Sequence, residues 1–295
     1  MERDPQKLLV TADLHYGLYP VGDASTQKLA DYVCASDADV FAICGDVGDA
    51  DLESFTGALA LFDRFRGLKL VVPGNHDLWS AAAPTIEKYR EILPAMAADH
   101  GFRMLDVGPA TVGRTGFIGT IGWYDYSFRN QDLNVPLSQY LRKELPGVCI
   151  WNDGRFMDWD VTDAEFTEKC LRKLQAAYRS VEPSVHTVVA VMHVLPWADM
   201  LYGPASAAFE FSRAYLGSER FGRLLEDCPK VRYIFCGHRH AAATHTSDGR
   251  TAFCVGSDYR KKRLIELTLS TGENTTHLFV PDAAKPEQPE AEDTD

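Results

Sequence analysis

Five apolar segments rich in β-branched residues each end in polar residues, and this repetition constrains the fold more than any other feature. The segments are residues 8–12, 40–44, 70–72, 188–192 and 231–236. Short runs of this composition are typical of buried strands. The first three alternate with segments that are predicted to be helical, residues 25–35 with Ser25 as the N-cap, residues 51–66 and residues 85–98. The chain is therefore predicted to have an α/β fold in which right-handed crossovers join the strands.

The residues that follow these segments are mostly His, Asp and Asn. In chain order they are Asp13-Leu14-His15, Gly45-Asp46, Gly74-Asn75-His76-Asp77, His193 and Gly237-His238-Arg239-His240. In layered α/β folds, ligand-binding groups gather just beyond the carboxyl ends of the strands. Five of the nine His residues of the chain occupy these positions, which packing alone does not explain. We expect these side chains to converge on one site.

The chain resembles the calcineurin-like metallophosphoesterase superfamily in the order of five sequence blocks. The blocks are Asp13-x-His15, Gly45-Asp46-x-x-Asp49, Gly74-Asn75-His76-Asp77, His193 and Gly237-His238-x-His240. They span residues 13–240, so the resemblance covers most of the chain. It implies a four-layer α/β/β/α sandwich, in which two central mixed β-sheets are flanked by helices. The blocks are specific for the superfamily but do not select one of its members.

The resemblance also implies a pair of metal ions that share one carboxylate, Asp46. The implied ligands are Asp13, His15, Asp46 and His240 for one ion, and Asp46, Asn75, His193 and His238 for the other. Imidazole, carboxylate and amide donors without a thiolate suit Mn, Fe or Zn better than Mg or Ca. The implied reaction is hydrolysis of a phosphomonoester or phosphodiester by a metal-bridging hydroxide.

His76 lies outside both implied ligand sets, and the resemblance makes it the general acid for the leaving alkoxide. Asp77 is expected to hold the orientation of His76, and Asp49 to support the site from outside the ligand sets. A physical argument agrees with the role of His76. A departing alkoxide needs a proton, and a carboxylate beside a His keeps the imidazolium form to higher pH.

Residues 123–160 form a long aromatic and polar segment, which we expect to be an insert near the active site. The segment is too long for an ordinary connection. Its aromatic side chains could form a cap that stacks on a base or a sugar, whereas ordinary packing against the sandwich is the alternative. The cap candidates are Trp123, Tyr124, Tyr126, Phe128, Trp151 and Trp159 of the segment, together with Trp197, which lies beyond it.

Four side chains are candidate substrate contacts. Arg239 lies between two implied ligands, and its guanidinium fork suits a phosphate. Tyr16 directly follows the implied ligand His15 and is expected to lie at the edge of the pocket. Trp123 and Arg155 are expected to contact the organic group and a second phosphate, although a solvated position is the alternative for Arg155.

The five blocks extend along most of the chain, so residues 1–280 are predicted to form one domain with residues 123–160 as a candidate cap. Residues 281–295 are rich in Pro, Glu and Asp and are predicted to be an acidic, disordered tail. The formal net charge is −12, which indicates no basic surface for nucleic acid. Stable binding of nucleic acid is therefore not expected.

The cysteine pattern and the lack of apolar stretches predict a cytoplasmic protein. The chain has seven Cys and no CxxC pair, which is typical of a reducing compartment. The first residues show no signal-peptide pattern. No apolar run approaches the roughly 20 residues that a membrane span needs, so no membrane partner is expected. The sequence does not predict the oligomeric state.

The predicted function is metal-dependent hydrolysis of a small phosphorylated molecule, with nucleotide-type substrates among the candidates. A protein phosphatase of the same superfamily is an alternative, while the acidic charge disfavours a nuclease. A different class of function is a scaffold that keeps the fold without the chemistry. A scaffold predicts eroded ligand positions, whereas every block of this chain holds a competent residue.

Overall fold

The computed structural model describes residues 4–281, and its centre is a pair of six-stranded sheets. The first sheet contains, in spatial order, Asn274–Phe279 (β14), Lys262–Thr268 (β13), Lys7–Thr11 (β1), Val40–Cys44 (β2), Leu68–Val72 (β3) and Phe102–Met104 (β4). The second contains Ala243–Ser247 (β11), Arg250–Cys254 (β12), Val231–Cys236 (β10), Thr187–Met192 (β9), Thr115–Thr120 (β6) and Ala110–Val112 (β5). Both sheets mix parallel and antiparallel pairs, as predicted.

Helices flank the two sheets. They are Pro20–Ala35 (α1), Leu52–Ala60 (α2), Asn75–Leu78 (α3), Thr85–Glu87 (α4), Leu93–Asp99 (α5), Leu137–Arg142 (α6), Asp153–Phe156 (α7), Asp163–Val181 (α8), Ala207–Ser212 (α9) and Glu219–Glu226 (α10). A π-helical turn, Lys88–Ile92, joins α4 to α5. Within residues 4–281, none of the helices is long and apolar enough to cross a membrane.

The central strands are buried on both faces, which gives the predicted four layers. Alternate residues of β1, such as Leu8 and Val10, pack with Val189 and Val191 of β9 in an apolar layer between the sheets. The intervening side chains, such as Leu9, belong to a second core that the helices cover. Strands buried on both faces read as nearly continuous apolar runs, and this is the pattern that the sequence shows.

Several boundaries differ from the sequence-based expectation. The first helix was expected to begin at Ser25 as its N-cap, but α1 begins at Pro20, a residue type suited to the first helical turn. The Ser25 hydroxyl instead donates to the Arg260 carbonyl at 2.7 Å. The expected helix over residues 85–98 contains the π-helical turn just before Pro94, which has no N–H to donate.

The segment over residues 123–160 is more regular than expected. It contains α6, α7 and a small hairpin formed by Glu144–Leu145 (β7) and Cys149–Ile150 (β8). The tail predicted to be disordered lies, apart from residue 281, outside the described residues. The interpretation of residues 1–280 as one domain stays a prediction.

Candidate active site

The carboxyl ends of β1, β2, β3, β9 and β10 bring together all seven side chains that the sequence proposed as metal ligands. The Nε2 atoms of His15 and His240 lie 2.9 Å apart. The Oδ2 atom of Asp46 lies 3.5 Å from His15 Nε2 and 3.4 Å from His193 Nε2. Asn75 Oδ1 lies 3.1 Å from the same His193 nitrogen. Asp46 is therefore central to the cluster.

Five of these side chains are carried by residues with a left-handed backbone conformation. Their φ angles are 54° at Asp13, 41° at His15, 49° at Asp46, 67° at His238 and 57° at His240. Non-glycine residues adopt this conformation infrequently, and each instance costs about 1–3 kcal/mol. Such strain persists only where the surroundings enforce it, and it is often found at functional sites.

Hydrogen bonds between the strand-end loops enforce this conformation. The backbone N–H groups of Asp13 and His15 donate to the carbonyls of Gly45 and Asp46, at 3.0 and 2.9 Å. The Asp13 carboxylate accepts from the N–H of His238 at 2.8 Å. The loop after β1 is thus held by the loop after β2 of the same sheet and by the loop after β10 of the other sheet, and these contacts fix the ligand positions.

Gly74 is required because the backbone approaches Asp46 too closely for a side chain. A Cβ at position 74 would overlap the carboxylate and the backbone nitrogen of Asp46. The φ angle of Gly74 is −111°, which any residue can adopt, so the need is for space and not for an unusual turn. This contact lets the Asp46 Oδ1 atom accept from the N–H of His76 at 3.0 Å.

The arrangement of donor atoms fits two cations. Within residues 4–281, Asp13, His15, Asp46 and His240 form one group of converging donor atoms, and Asp46, His193 and His238 form another. The buried Oδ2 atom of Asp13 has no hydrogen-bond partner among the described residues. A buried carboxylate oxygen without a donor is costly, and a bound cation would remove that cost. The residues present therefore fit the metal pair that the sequence predicts.

The electrostatics of the cluster favour neutral imidazole at several ligand positions. Burial lowers the pKa of His238 to about 3 and that of His240 to about 4. Burial also lowers the pKa of His15 well below its usual value. Burial opposes the charge of His193, but the carboxylates of Asp46 and Asp13 and the hydrogen bond to the Cys44 carbonyl together raise the pKa of His193 to about 9. Neutral imidazole is the form that ligates a metal.

His76 lies beside this cluster but belongs to neither donor group. Its ring packs on Trp79 with centroids 3.8 Å apart, and its Nδ1 atom lies 3.1 Å from Asp49 Oδ1. Burial opposes a charge on the ring, but the carboxylates of Asp46, Asp49 and Asp153 together raise the pKa of His76. These carboxylates therefore favour the protonated form of the His76 ring.

The structure places Asp49, and not Asp77, against the His76 ring. The buried Asp77 carboxylate accepts from the backbone N–H groups of Val47, Gly48 and Gly74 instead, at 3.2, 2.9 and 2.8 Å. The physical reason is helical geometry. His76 and Asp77 are consecutive in α3, where neighbouring side chains point about 100° apart. Asp77 therefore supports the backbone of the strand-end loops.

A cavity of about 390 Å³ opens above the cluster. Its floor contains the polar residues Asp46, Asn75, His76, His238 and His240. The insert supplies one wall, and further apolar and aromatic side chains supply the others. The wall residues are Trp79, Ile150, Trp151, Asn152, Asp153, Phe209, Ser212, Leu216, Arg239 and Tyr259.

Of the four predicted substrate contacts, only Arg239 lines this cavity. Its guanidinium lies 4.2 Å from the centre of the Tyr202 ring. Trp123 is 1% exposed, and its indole N–H donates to Asp163 at 2.8 Å, so it is part of the core. Tyr16 packs half-buried against the helix-side core, and Arg155 is exposed to solvent.

The sequence did not indicate most residues of the aromatic wall. It indicated Trp151 only as one of several candidates for the cap. Trp79 follows the third block by two residues, and Tyr259 belongs to no block. Trp151 lies in the insert and is the one Trp of that segment that lines the cavity. Sequence proximity to a block would have indicated Trp79, but no sequence signal indicated Tyr259 or Asp153.

The chain matches the calcineurin-like phosphoesterase family model over residues 6–242, and it belongs to this family. Family membership and the two groups of donor residues support metal-dependent phosphoester hydrolysis and a dinuclear metal site. A search of curated protein sequences finds no significant match to the chain.

Three solved structures share the fold. The chain is similar to a phosphopantetheinyl hydrolase from Mycobacterium tuberculosis, with 21% identity, a TM-score of 0.66, and coverage of 88% of this chain and 92% of that one. It is similar to a dimetal phosphatase from Danio rerio, with 15% identity, a TM-score of 0.55, and coverage of 94% and 100%. It is also similar to the anchor in the inner membrane complex of Plasmodium, with 10% identity, a TM-score of 0.50, and coverage of 96% and 91%. At these low identities the similarity shows that the fold is shared, and it carries no information about the substrate.

Proposed function

We propose that this protein is a dinuclear metal-dependent phosphoesterase that acts on a small phosphomonoester or phosphodiester, nucleotide-type substrates included. The observation that carries the proposal is the convergence of two donor groups, joined by Asp46, at the floor of an open cavity. Two cations bound there would polarise the phosphoryl oxygens and activate a water molecule near neutral pH. Mn, Fe or Zn suits the mixed imidazole and oxygen donors.

In this proposal His76 is the general acid. The Asp49 carboxylate holds the Nδ1 side of the ring, which leaves Nε2 for the leaving oxygen of the substrate. As the bond between phosphorus and the leaving oxygen breaks, the proton on Nε2 passes to that oxygen. The raised pKa of His76, caused by Asp46 and Asp49 against the effect of burial, keeps the proton in place until then.

The proposal assigns substrate binding to the wall of the cavity. Arg239, which lies between two ligand residues, would bind the phosphoryl group through its planar fork. Trp151, Phe209 and Tyr259 would pack against the organic group of the ester. A cavity of about 390 Å³ is within the usual size range for small-molecule sites.

The proposal also includes a cytoplasmic location. All seven cysteines are free thiols, and five of them are buried. Free, buried thiols suit a reducing compartment, where disulfides do not persist.

The proposal is tested by removing metal with a chelator and then reloading the protein with Mn²⁺, Fe²⁺ or Zn²⁺. We expect two ions per chain by elemental analysis and hydrolysis that returns only after reloading. A panel of monoesters and diesters, with nucleotides and cyclic nucleotides among them, would identify the preferred class. A chain that binds two ions but hydrolyses no ester in any metal form would contradict the proposal and favour the scaffold.

Replacing Phe209 by Ala is expected to raise the KM for esters of large organic groups about tenfold. An aromatic contact contributes about 0.5–1.5 kcal/mol beyond its buried area, and about 1.4 kcal/mol is a factor of ten in affinity. Leu141→Ala is the matched control, because Leu141 is 57% exposed and does not line the cavity. Steady-state kinetics on a bulky and a small ester would measure the change. An equal effect of both substitutions would remove Phe209 from the substrate site.

A further inference from the structure

Asp153, the first residue of the short helix α7 in the insert, accepts hydrogen bonds from four side chains. Its Oδ1 atom accepts from Asn75 Nδ2 at 2.9 Å and from Trp79 Nε1 at 2.8 Å. Its Oδ2 atom accepts from the Tyr124 hydroxyl at 2.9 Å and from Trp151 Nε1 at 2.7 Å. The residue is 1% exposed, and four donors fill most of the acceptor capacity of an ionised carboxylate.

This carboxylate determines which end of the Asn75 amide faces the cluster. An ionised carboxylate accepts hydrogen bonds and donates none, so only the NH₂ end of Asn75 can face it. The amide oxygen is therefore turned the other way, to within 3.1 Å of His193 Nε2. If the amide were reversed, its oxygen would lie against the Asp153 carboxylate and its NH₂ group would face the donor cluster.

We propose that Asp153 is a positioning residue, which presents the Asn75 oxygen to a cation bound by Asp46, His193 and His238. This inference rests on the proposed function, because it concerns one of the two metal sites. It assigns a role to a residue of the insert, outside the five blocks that carry the proposed metal ligands and His76. The insert thereby completes the metal site as well as walling the cavity.

The other partners of Asp153 tie the same carboxylate to the general acid and to the cavity wall. Trp79, which donates to Oδ1, is the residue whose ring packs on His76. Trp151, which donates to Oδ2, lines the cavity. One buried carboxylate thus connects a metal ligand, the support of His76 and the insert. A purely structural role would stabilise these contacts without changing the affinity of a particular metal site.

The test compares Mn²⁺ binding by the wild type with binding by Asp153→Ala and Asp153→Asn, using calorimetric titration and electron paramagnetic resonance. In Asp153→Ala we expect one Mn²⁺ to bind about 10–100-fold more weakly, while the other binds as in the wild type. This is the usual loss of metal affinity when the hydrogen-bond partner of a metal ligand is removed. The spectrum should change from that of a coupled pair to that of an isolated Mn²⁺. Unchanged binding of both ions would overturn the inference.

Asp153→Asn separates hydrogen bonding from charge. Asn keeps one oxygen that can accept from Asn75 and Trp79, and the Tyr124 hydroxyl can rotate to accept from the new NH₂ group. The Trp151 indole only donates and loses its partner, a cost that falls on the insert and not on the contact with Asn75. We therefore expect Asp153→Asn to restore most of the second-site affinity. If Asp153→Asn bound Mn²⁺ as weakly as Asp153→Ala, the carboxylate would act through its charge, and the positioning role would be wrong.

Tyr124→Phe is the matched control, because it removes a donor to Oδ2 and leaves the contact with Asn75 intact. It should bind two Mn²⁺ ions with wild-type affinity, and a loss as large as that of Asp153→Ala would contradict the proposal. Near-ultraviolet circular dichroism of the metal-free variants would establish that each is folded.

A measurement on the metal-free wild type keeps the inference testable even if Asp153→Ala does not fold. The chain has five Asn residues, so selective ¹⁵N-asparagine labelling gives five side-chain NH₂ signals. The signal that is lost in Asn75→Ser is that of the Asn75 side chain. In the wild type we expect the hydrogens of this NH₂ group to exchange slowly with solvent, because they are bonded to Asp153. Rapid exchange of these hydrogens would overturn the inference about Asp153 and leave the proposed function intact. A wild type that binds no Mn²⁺ would overturn the proposed function and, with it, the role in metal binding.

Discussion

Replacing Asp46 by Asn is expected to abolish tight binding of both metal ions and to reduce phosphoesterase activity about a thousandfold or more. Asp46 is the carboxylate that both donor groups share. Catalysis by bound metal contributes several kcal/mol, and each 1.4 kcal/mol is about a factor of ten in rate. Asn retains an oxygen for the N–H of His76, so the strand-end loops should keep their geometry.

Elemental analysis and steady-state kinetics on one chromogenic ester would check this expectation. Asp31→Asn is the matched control, because Asp31 is an exposed residue of α1 that pairs with Arg64 and lies outside the site. The control should retain two ions and full activity. If Asp46→Asn retained both ions and wild-type turnover, Asp46 could not be the shared ligand, and the division into two donor groups would be wrong.

The metal cluster could be predicted from the sequence because its geometry follows from strand order. Parallel strands place their carboxyl ends at one edge of a sheet, so residues that directly follow such strands must lie near one another. This holds within the first sheet for Asp46 after β2 and Asn75 after β3. His193 follows β9 of the second sheet, whose strand ends lie beside those of the first, although 118 positions separate it from Asn75 along the chain. The same apolar runs predicted an α/β fold, whereas the two sheets and four layers were implied by the family resemblance.

The wall of the cavity could not be predicted in this way, because it depends on contacts between distant irregular segments. Trp123 and Trp151 both lie in the aromatic insert, and composition does not distinguish them. Trp123 is buried because its indole pairs with Asp163 at the start of α8, whereas Trp151 pairs with Asp153 and lines the cavity. Which ring faces the cavity is decided by these partners.

The roles of Asp49 and Asp77 could have been predicted more nearly from the sequence than the cavity wall could. The chain places Asp77 directly after His76, and adjacency suggested that the two side chains interact. The short helix α3 separates them in direction, while the loop after β2 returns Asp49 to the His76 ring. Recognising that a helix begins at Asn75 would have favoured Asp49. By contrast, no local pattern marks Asp153, whose four partners come from three separate parts of the chain.

Replacing His76 by Ala is expected to lower kcat about 10²–10⁴-fold for esters with poor, alkyl leaving groups, with both metal ions retained. That range is the usual contribution of a general acid. An aryl leaving group of low basicity can depart without a proton, so its ester should be much less affected. Both ions should remain, because the His76 ring belongs to neither donor group. The dependence of rate on leaving-group basicity should therefore be steeper in the variant.

Kinetics on a series of aryl and alkyl esters, together with metal analysis of the same preparations, would measure both parts of this prediction. His245→Ala is the matched control, because His245 packs on Trp197 and does not line the cavity. It should resemble the wild type with every ester. Loss of an ion from His76→Ala would make His76 a ligand. An equal decrease for all leaving groups would show that His76 binds substrate or positions it, since only proton donation links the effect to leaving-group basicity.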